Sequence, residues 1–144
     1  MFLVGFYGLF PIGELASKST PSARSVIQYS NLTFSFGTAS AGQPQGAKIS
    51  IHQCKHNIRQ RPFEILLARD VSSPFCPVTA LFHYSKVRGD RPGPLFCYAD
   101  LTSISSHQFN VELQRCLSYR GLDTNRYKSH SFRIGGACHA ADQG

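Results

Sequence analysis

The spacing of hydrophobic residues divides the chain into segments of different type. Residues 2–10 are apolar on almost every side, which predicts a buried helix whose apolar positions recur at helical spacing: Leu3, Phe6, Tyr7 and Phe10. Pro11 must end or kink this helix, because proline removes a backbone hydrogen bond and clashes with the preceding turn. The chain is expected to continue beyond that break through Gly13, Glu14 and Leu15.

After Val26 the apolar residues alternate with polar ones, which is the pattern of half-buried strands. Three segments are strand candidates: residues 32–36, 49–51 and 63–67. A glycine-rich connector over residues 37–46 joins the first two, and residues 56–61 turn between the second and the third. Such short connections predict an antiparallel meander. Its second turn would carry three basic residues: Lys55, Arg59 and Arg61.

The second half of the chain predicts helices. One begins near Pro77, since proline is tolerated at the first helical position. Another is capped by Ser105 or Ser106, stops near Gly121, and has apolar residues in one row: Phe109, Leu113 and Leu117. A third follows Arg126 and Lys128. The predicted fold class is therefore α+β, mainly helical with a small three-stranded antiparallel sheet.

Charge and cysteine content restrict the partners and the compartment. A formal net charge of +7 suits a polyanionic partner, although a merely basic protein has the same charge. Five cysteines without a Cys-x-x-Cys pair favour a reducing compartment over a disulfide framework. Neither Cys54 with His56 nor Cys138 with His139 has the paired spacing of a zinc site, so no metal is predicted.

The apolar N-terminal segment leaves a secreted protein open as an alternative. No basic residue precedes the segment, however, and no convincing small-residue cleavage site follows it. The segment is also too short to span a bilayer. We therefore interpret it as a core helix and predict no association with a membrane.

Near its C-terminal end the chain places a histidine and an arginine one helical turn apart. His130 and Arg133 lie at i and i+3, so a helix would carry both on one face. A guanidinium is a rigid fork that matches two phosphate oxygens, and an imidazole beside it can donate or accept a proton. Small residues follow and would let the helix pack closely on a neighbour: Gly135, Gly136, Ala137, Ala140 and Ala141. The H-x-x-R spacing alone is equally typical of an ordinary surface helix.

Three features come in the order found in tyrosine recombinases, the phage-integrase family. They are Gly-Leu-Phe-Pro-Ile-Gly-Glu-Leu at residues 8–15, Lys55 in the predicted hairpin turn, and His-Ser-Phe-Arg-Ile-Gly-Gly-Ala at residues 130–137. The chain resembles the transposon-borne eukaryotic branch most. The resemblance implies that residues 1–144 form part of the recombinase catalytic domain, with a partial integrase catalytic-core fold. The segment with the nucleophilic tyrosine and the N-terminal core-binding domain would be lacking.

The resemblance also implies a role for individual residues. Arg133 matches the second arginine of the family's phosphate clamp, and His130 matches its histidine. Lys55 is the candidate for the hairpin lysine that protonates the leaving 5′ oxygen, with Lys48 as the second choice. Glu14 matches an acidic residue with a structural role. The family's chemistry needs no metal or nucleotide cofactor.

Two departures from the family pattern predict that this chain is inactive by itself. Pro11 stands where the family has the first clamp arginine, and losing one preorganised charge donor lowers a rate by roughly two to three orders of magnitude. No tyrosine follows Arg133, and Tyr127 lies ahead of the motif, where packing is the more ordinary role for it. The expected function is binding of double-stranded DNA for recombination and integration, without strand cleavage.

Binding to DNA would use basic residues in two places along the chain: Lys55, Arg59, Arg61, Arg126, Lys128 and Arg133. An intracellular location is expected, in the nucleus if the host is a eukaryote, and oligomerisation on DNA is left open. Two alternatives remain. The chain is part of a working recombinase whose tyrosine comes from a longer product or another subunit, or it is a mobile-element-derived domain that binds DNA or protein without catalysis.

Overall fold

The computed structural model describes residues 1–18, 26–38, 42–51 and 63–143. Within these residues the chain forms helices α1 (Phe2–Tyr7), α2 (Ile12–Leu15), α3 (Pro77–Arg88), α4 (Ser106–Tyr119) and α5 (Ser129–Gln143), and strands β1 (Leu32–Phe36), β2 (Pro44–Ile51) and β3 (Phe63–Ala68). A single 3-10 turn, Tyr29–Asn31, precedes β1. The predicted α+β class is confirmed.

The three strands form an antiparallel sheet in the order β1-β2-β3, as the alternating pattern predicts. Leu32, Ile49 and Ile65 lie side by side across the sheet. The prediction was wrong about the connector over residues 37–46, because β2 already begins at Pro44. A proline fits at the first residue of a strand, and a register shift between Ser35 and Phe36 lets Phe36 pair with it.

One face of the sheet packs against α3, and this contact forms part of a core that also takes in Val4, Phe10 and Leu15. Alternate residues of β2 point into it: Ala47, Ile49 and Ile51 are all buried. Val78 and Leu81 of α3 are buried in the same cluster, together with Leu95 and Phe96 from the segment after α3. The alternation places Lys48 and Ser50 on the outer face of the sheet.

Helix α1 ends earlier than the apolar pattern predicts. It stops at Tyr7 rather than near residue 10, and Leu9 takes a left-handed conformation with φ 54°. Phe10 is nevertheless buried, which is why the sequence there is apolar. The left-handed Leu9 ends the helix, and the Phe10 N–H donates back to the Gly5 carbonyl at 3.2 Å, so Phe10 is buried just beyond the last turn of α1.

Helix α4 has the predicted cap and stop. The Ser105 hydroxyl accepts a hydrogen bond from the Gln108 N–H at 3.1 Å, and the Gln108 side-chain oxygen accepts one from the Ser105 N–H at 3.3 Å. Phe109 and Leu113 are buried along one row of the helix. Gly121, with φ 67°, follows the end of α4 in the left-handed conformation that ends many helices.

Candidate nucleic-acid interface

Aromatic packing fixes the first turns of α5 on the molecule. The Phe132 ring stacks on Phe2 of α1 at 5.4 Å between centroids, and it meets Phe109 of α4 edge-on at 5.7 Å. Phe2 and Phe109 also touch each other, at 4.7 Å. This three-ring cluster ties α1, α4 and α5 together. His130 and Arg133 are both exposed on α5.

The middle of α5 lies against the backbone of α1. A Cβ atom on Gly136 would lie 2.7 Å from the Leu9 Cδ2 atom and would also collide with the Phe6 carbonyl oxygen. The His139 ring lies 5.7 Å from the Phe6 ring. Phe2 therefore meets the start of α5 and Phe6 meets its middle, so the two helices run side by side in the same direction. The predicted close packing through small residues is confirmed at Gly136.

His130 and Arg133 make no hydrogen bond or ion pair with the described residues, so both side chains can accept a ligand from solvent. On a helix, Cβ atoms at i and i+3 are about 5–6 Å apart, a spacing that lets both groups contact one anion. Ser131 between them has its hydroxyl turned to the backbone, where it accepts the Lys128 N–H at 3.1 Å. The pair thus presents one guanidinium and one imidazole on the outer surface of α5.

Two further predicted basic residues lie in the segment that leads into α5. Both Arg126 and Lys128 are exposed. The Lys128 ammonium donates to the Thr124 carbonyl oxygen at 3.1 Å, and the Arg126 guanidinium lies 5.9 Å from the Tyr127 ring. The Gln114 amide of α4 donates to the Thr124 carbonyl at 3.2 Å and so holds this segment against the helix bundle. Four basic side chains of this region are therefore close in sequence and exposed: Arg126, Lys128, His130 and Arg133.

The structure describes only one of the two candidates for the hairpin lysine. Lys55, Arg59 and Arg61 lie outside the described residues, so their predicted place in the turn between β2 and β3 stays a prediction. Lys48, the second choice, is described. Its ammonium makes an ion pair with Glu64 at 3.0 Å on the outer face of the sheet, with both side chains about half exposed. An exposed ion pair of this kind stabilises the fold by only about 0–1 kcal/mol. The Glu64 carboxylate nevertheless offsets the charge of Lys48, so Lys48 is not a free cation.

Pro11 and Glu14 lie in the segment where the sequence resemblance predicts a clamp arginine followed by an acidic residue. Pro11 is exposed and forms the N-cap of α2, where its carbonyl accepts the Glu14 N–H at 3.0 Å. The Glu14 carbonyl in turn accepts the Ile27 N–H at 2.9 Å. This segment therefore joins α2 to the chain that leads into β1. A structural role for position 14 agrees with these contacts, which are made by its backbone.

Arg88 has a structural role that the sequence analysis did not predict. It is only 7% exposed at the end of α3, and its guanidinium donates four hydrogen bonds to backbone carbonyls: two to Pro94 (3.2 and 2.9 Å), one to Gly89 (2.8 Å) and one to Arg91 (2.7 Å). It also lies over the Tyr29 ring at 4.2 Å. The Gly/Pro turn after Arg88 is the sequence feature that could have indicated this role, because the backbone carbonyls of such a turn need hydrogen-bond donors.

Tyr29 and Asp90 complete the surroundings of Arg88. The Tyr29 hydroxyl donates to the Asp90 carboxylate at 3.2 Å. Partial burial raises the pKa of Tyr29, and the hydrogen bond to Asp90 raises it further. Arg88 lies beneath the ring, and its charge acts in the opposite direction, lowering the pKa of Tyr29. The group closes the turn after α3.

The thiol of Cys76 is buried and hydrogen-bonded. It is buried at the N-cap of α3, where its sulfur accepts the Asp70 N–H at 3.3 Å. Burial raises the pKa of the Cys76 thiol, but hydrogen bonds from Thr79, Asp70 and Val78 together outweigh it and lower the pKa below the ordinary value. A shallow cavity of about 240 Å³ lies nearby, between Tyr7, the last residues of β3 and the start of α3.

The described residues contain no group of three or more acidic, cysteine or histidine side chains placed to hold a metal ion. None of the helices described is both long and apolar enough to cross a membrane. Comparison of the chain with protein-family models, curated proteins and solved structures gives no match. The functional assignment therefore depends on the geometry of α5 and on the motif residues.

Proposed function

We propose that this chain is part of a tyrosine recombinase catalytic domain and binds double-stranded DNA through its phosphate backbone. The observation that carries the proposal is the exposed pair on α5, His130 and Arg133, which has no partner among the described residues. Arg126 and Lys128 extend the same basic stretch toward the N-terminal side of the helix. Exposed cationic donors near one another favour a phosphate-bearing polymer, because each contact releases counterions from the DNA.

The fold is compatible with a partial integrase catalytic core. The motif-bearing segments come in the family's order, with α1 and α2 first, the three-stranded meander next and α5 last. Packing of α5 directly on α1, through Phe132 and Gly136, brings the first and the last of these segments together. In this proposal Lys55 corresponds to the family's hairpin lysine and contributes a phosphate contact, without protonating a leaving oxygen.

Cleavage is not part of the proposed function. Pro11 has no charged group with which to replace the clamp arginine, and a guanidinium is needed to stabilise charge on the non-bridging oxygens of the phosphate. Pro11 also favours the second candidate function, a domain derived from a mobile element that binds DNA without catalysis. Both candidates share the duplex-binding surface at α5.

Duplex binding is tested by measuring the affinity for a fluorescein-labelled DNA duplex over a range of salt concentrations. With three or four phosphate contacts, raising the salt fourfold is expected to weaken binding by roughly 40- to 150-fold. Duplexes of different sequence should bind equally well, because phosphate contacts carry no base information. No measurable affinity at low salt, or an affinity that does not depend on salt, would overturn the proposal.

A further inference from the structure

Three phenylalanine rings from β1 and α3 meet at the surface. Phe34 and Phe36 of β1 both contact the Phe82 ring of α3 edge-on, at 5.5 and 6.2 Å between centroids. Phe34 is half-buried and packs on the core, whereas Phe36 is 57% exposed. The register shift between Ser35 and Phe36 lies at this end of the strand. Phe34 therefore lies at the edge of the core, and Phe36 presents an aromatic ring to solvent.

The charge beside these rings is positive. The Lys86 ammonium lies 4.3 Å from the centre of the Phe82 ring, and the His83 ring lies 6.4 Å from it. Both side chains are exposed on α3. Neither β1 nor α3 contains a carboxylate, so nothing on these two elements neutralises Lys86. Glu64 is engaged with Lys48 on the outer face of the sheet.

An exposed ring next to a free ammonium has the two parts that bind a single-stranded nucleic acid. A base stacks on the face of an aromatic side chain, and a cation contacts the neighbouring phosphate. A duplex offers no such face, because its bases are stacked on one another. A cationic peptide would be repelled by Lys86.

We propose that the surface formed by Phe34, Phe36, Phe82, His83 and Lys86 binds single-stranded nucleic acid. A base stacks on Phe36, and Lys86 contacts an adjacent phosphate. This surface shares no residue with the duplex-binding surface on α5. The proposal therefore stands on its own, and its failure would leave the proposed function untouched.

The test compares affinities of the whole chain for a labelled oligothymidine of about 12 nucleotides, a length within the range of common single-strand sites. Phe36→Leu keeps an apolar side chain and removes the aromatic face. We expect it to weaken binding about 5- to 150-fold, which is the measured range for loss of one stacking ring. Lys86→Gln is expected to lower the slope of log affinity against log salt by about 0.7.

Arg115→Ala is the matched control, since Arg115 is exposed on α4 and pairs only weakly with Glu112, at 4.0 Å. It should bind oligothymidine as the unchanged chain does, apart from the small effect of its charge. Duplex affinity should be the same in Phe36→Leu as in the unchanged chain. The proposal is overturned if the unchanged chain does not bind oligothymidine, or if Phe36→Leu binds it equally well. An oligoribonucleotide of equal length then shows whether RNA or DNA is preferred.

Discussion

Arg88 shows how one buried cation organises the turn after α3. Its position in the sequence, between Val87 and Gly89, suggests an ordinary last-turn arginine that favours the negative end of a helix. The structure instead turns the guanidinium inward onto the carbonyls of the following residues. No carboxylate pairs with it among the described residues, so its charge is balanced by backbone dipoles and by the ring of Tyr29.

Replacing Arg88 with alanine is expected to lower the free energy of unfolding by about 2–4 kcal/mol, because the buried Pro94 carbonyl and the part-buried carbonyls of Gly89 and Arg91 would lose a charged donor. Urea unfolding followed by circular dichroism measures the change. Arg115→Ala, at an exposed position, should change the same quantity by less than about 0.5 kcal/mol. Equal stability of the two variants would show that Arg88 does not hold the turn.

At the scale of elements, contact between α5 and α1 decides how His130 and Arg133 are presented. Gly136 is the point of closest approach, and the backbone of Phe6 leaves no room there for a side chain. The sequence predicted a close contact, because small residues cluster after Arg133. The partner helix could not be predicted from α5 itself, since it lies at the other end of the chain.

Gly136→Ala is therefore expected to destabilise the fold by about 1–3 kcal/mol, the usual cost of forcing an extra carbon into a packed contact. Thermal unfolding measures this loss. Gly13→Ala is the matched control, since its nearest neighbouring atom, on Lys18, is 3.7 Å away. Alanine is favoured over glycine in a helix, so this control should be neutral or slightly stabilising. A stable Gly136→Ala variant would contradict the packing described for α1 and α5.

Regular elements were predictable where a local pattern decides them. Alternation located the sheet, and a serine cap at Ser105 or Ser106 followed by an apolar row located α4. The errors came where distant contacts override the pattern. Phe10 is buried just beyond the end of α1, so its apolar character did not mean helix. Lys48 is paired because the register of β2 and β3 places Glu64 diagonally across from it, and register is not readable from single strands.

At the scale of the whole molecule, we propose two separate surfaces for nucleic acid on a basic chain. In this proposal His130 and Arg133 on α5 contact duplex phosphates. The aromatic surface at Phe36 and Lys86 would bind a single strand. The net charge of +7 supports both, but only the placement of the exposed cations distinguishes specific phosphate contacts from a general attraction.

Whether α5 contacts DNA phosphates is tested by comparing the duplex-DNA affinity of Arg133→Ala with that of Arg115→Ala over a range of salt concentrations. Both variants lose one exposed positive charge, and the pair of Arg115 with Glu112 is weak at 4.0 Å, so a general attraction would be weakened to a similar extent in the two. A phosphate contact at Arg133 predicts weaker binding and a salt slope smaller by about 1 for Arg133→Ala, with little change in slope for Arg115→Ala. Identical curves for the two variants would contradict the assignment of α5 as the DNA-binding element.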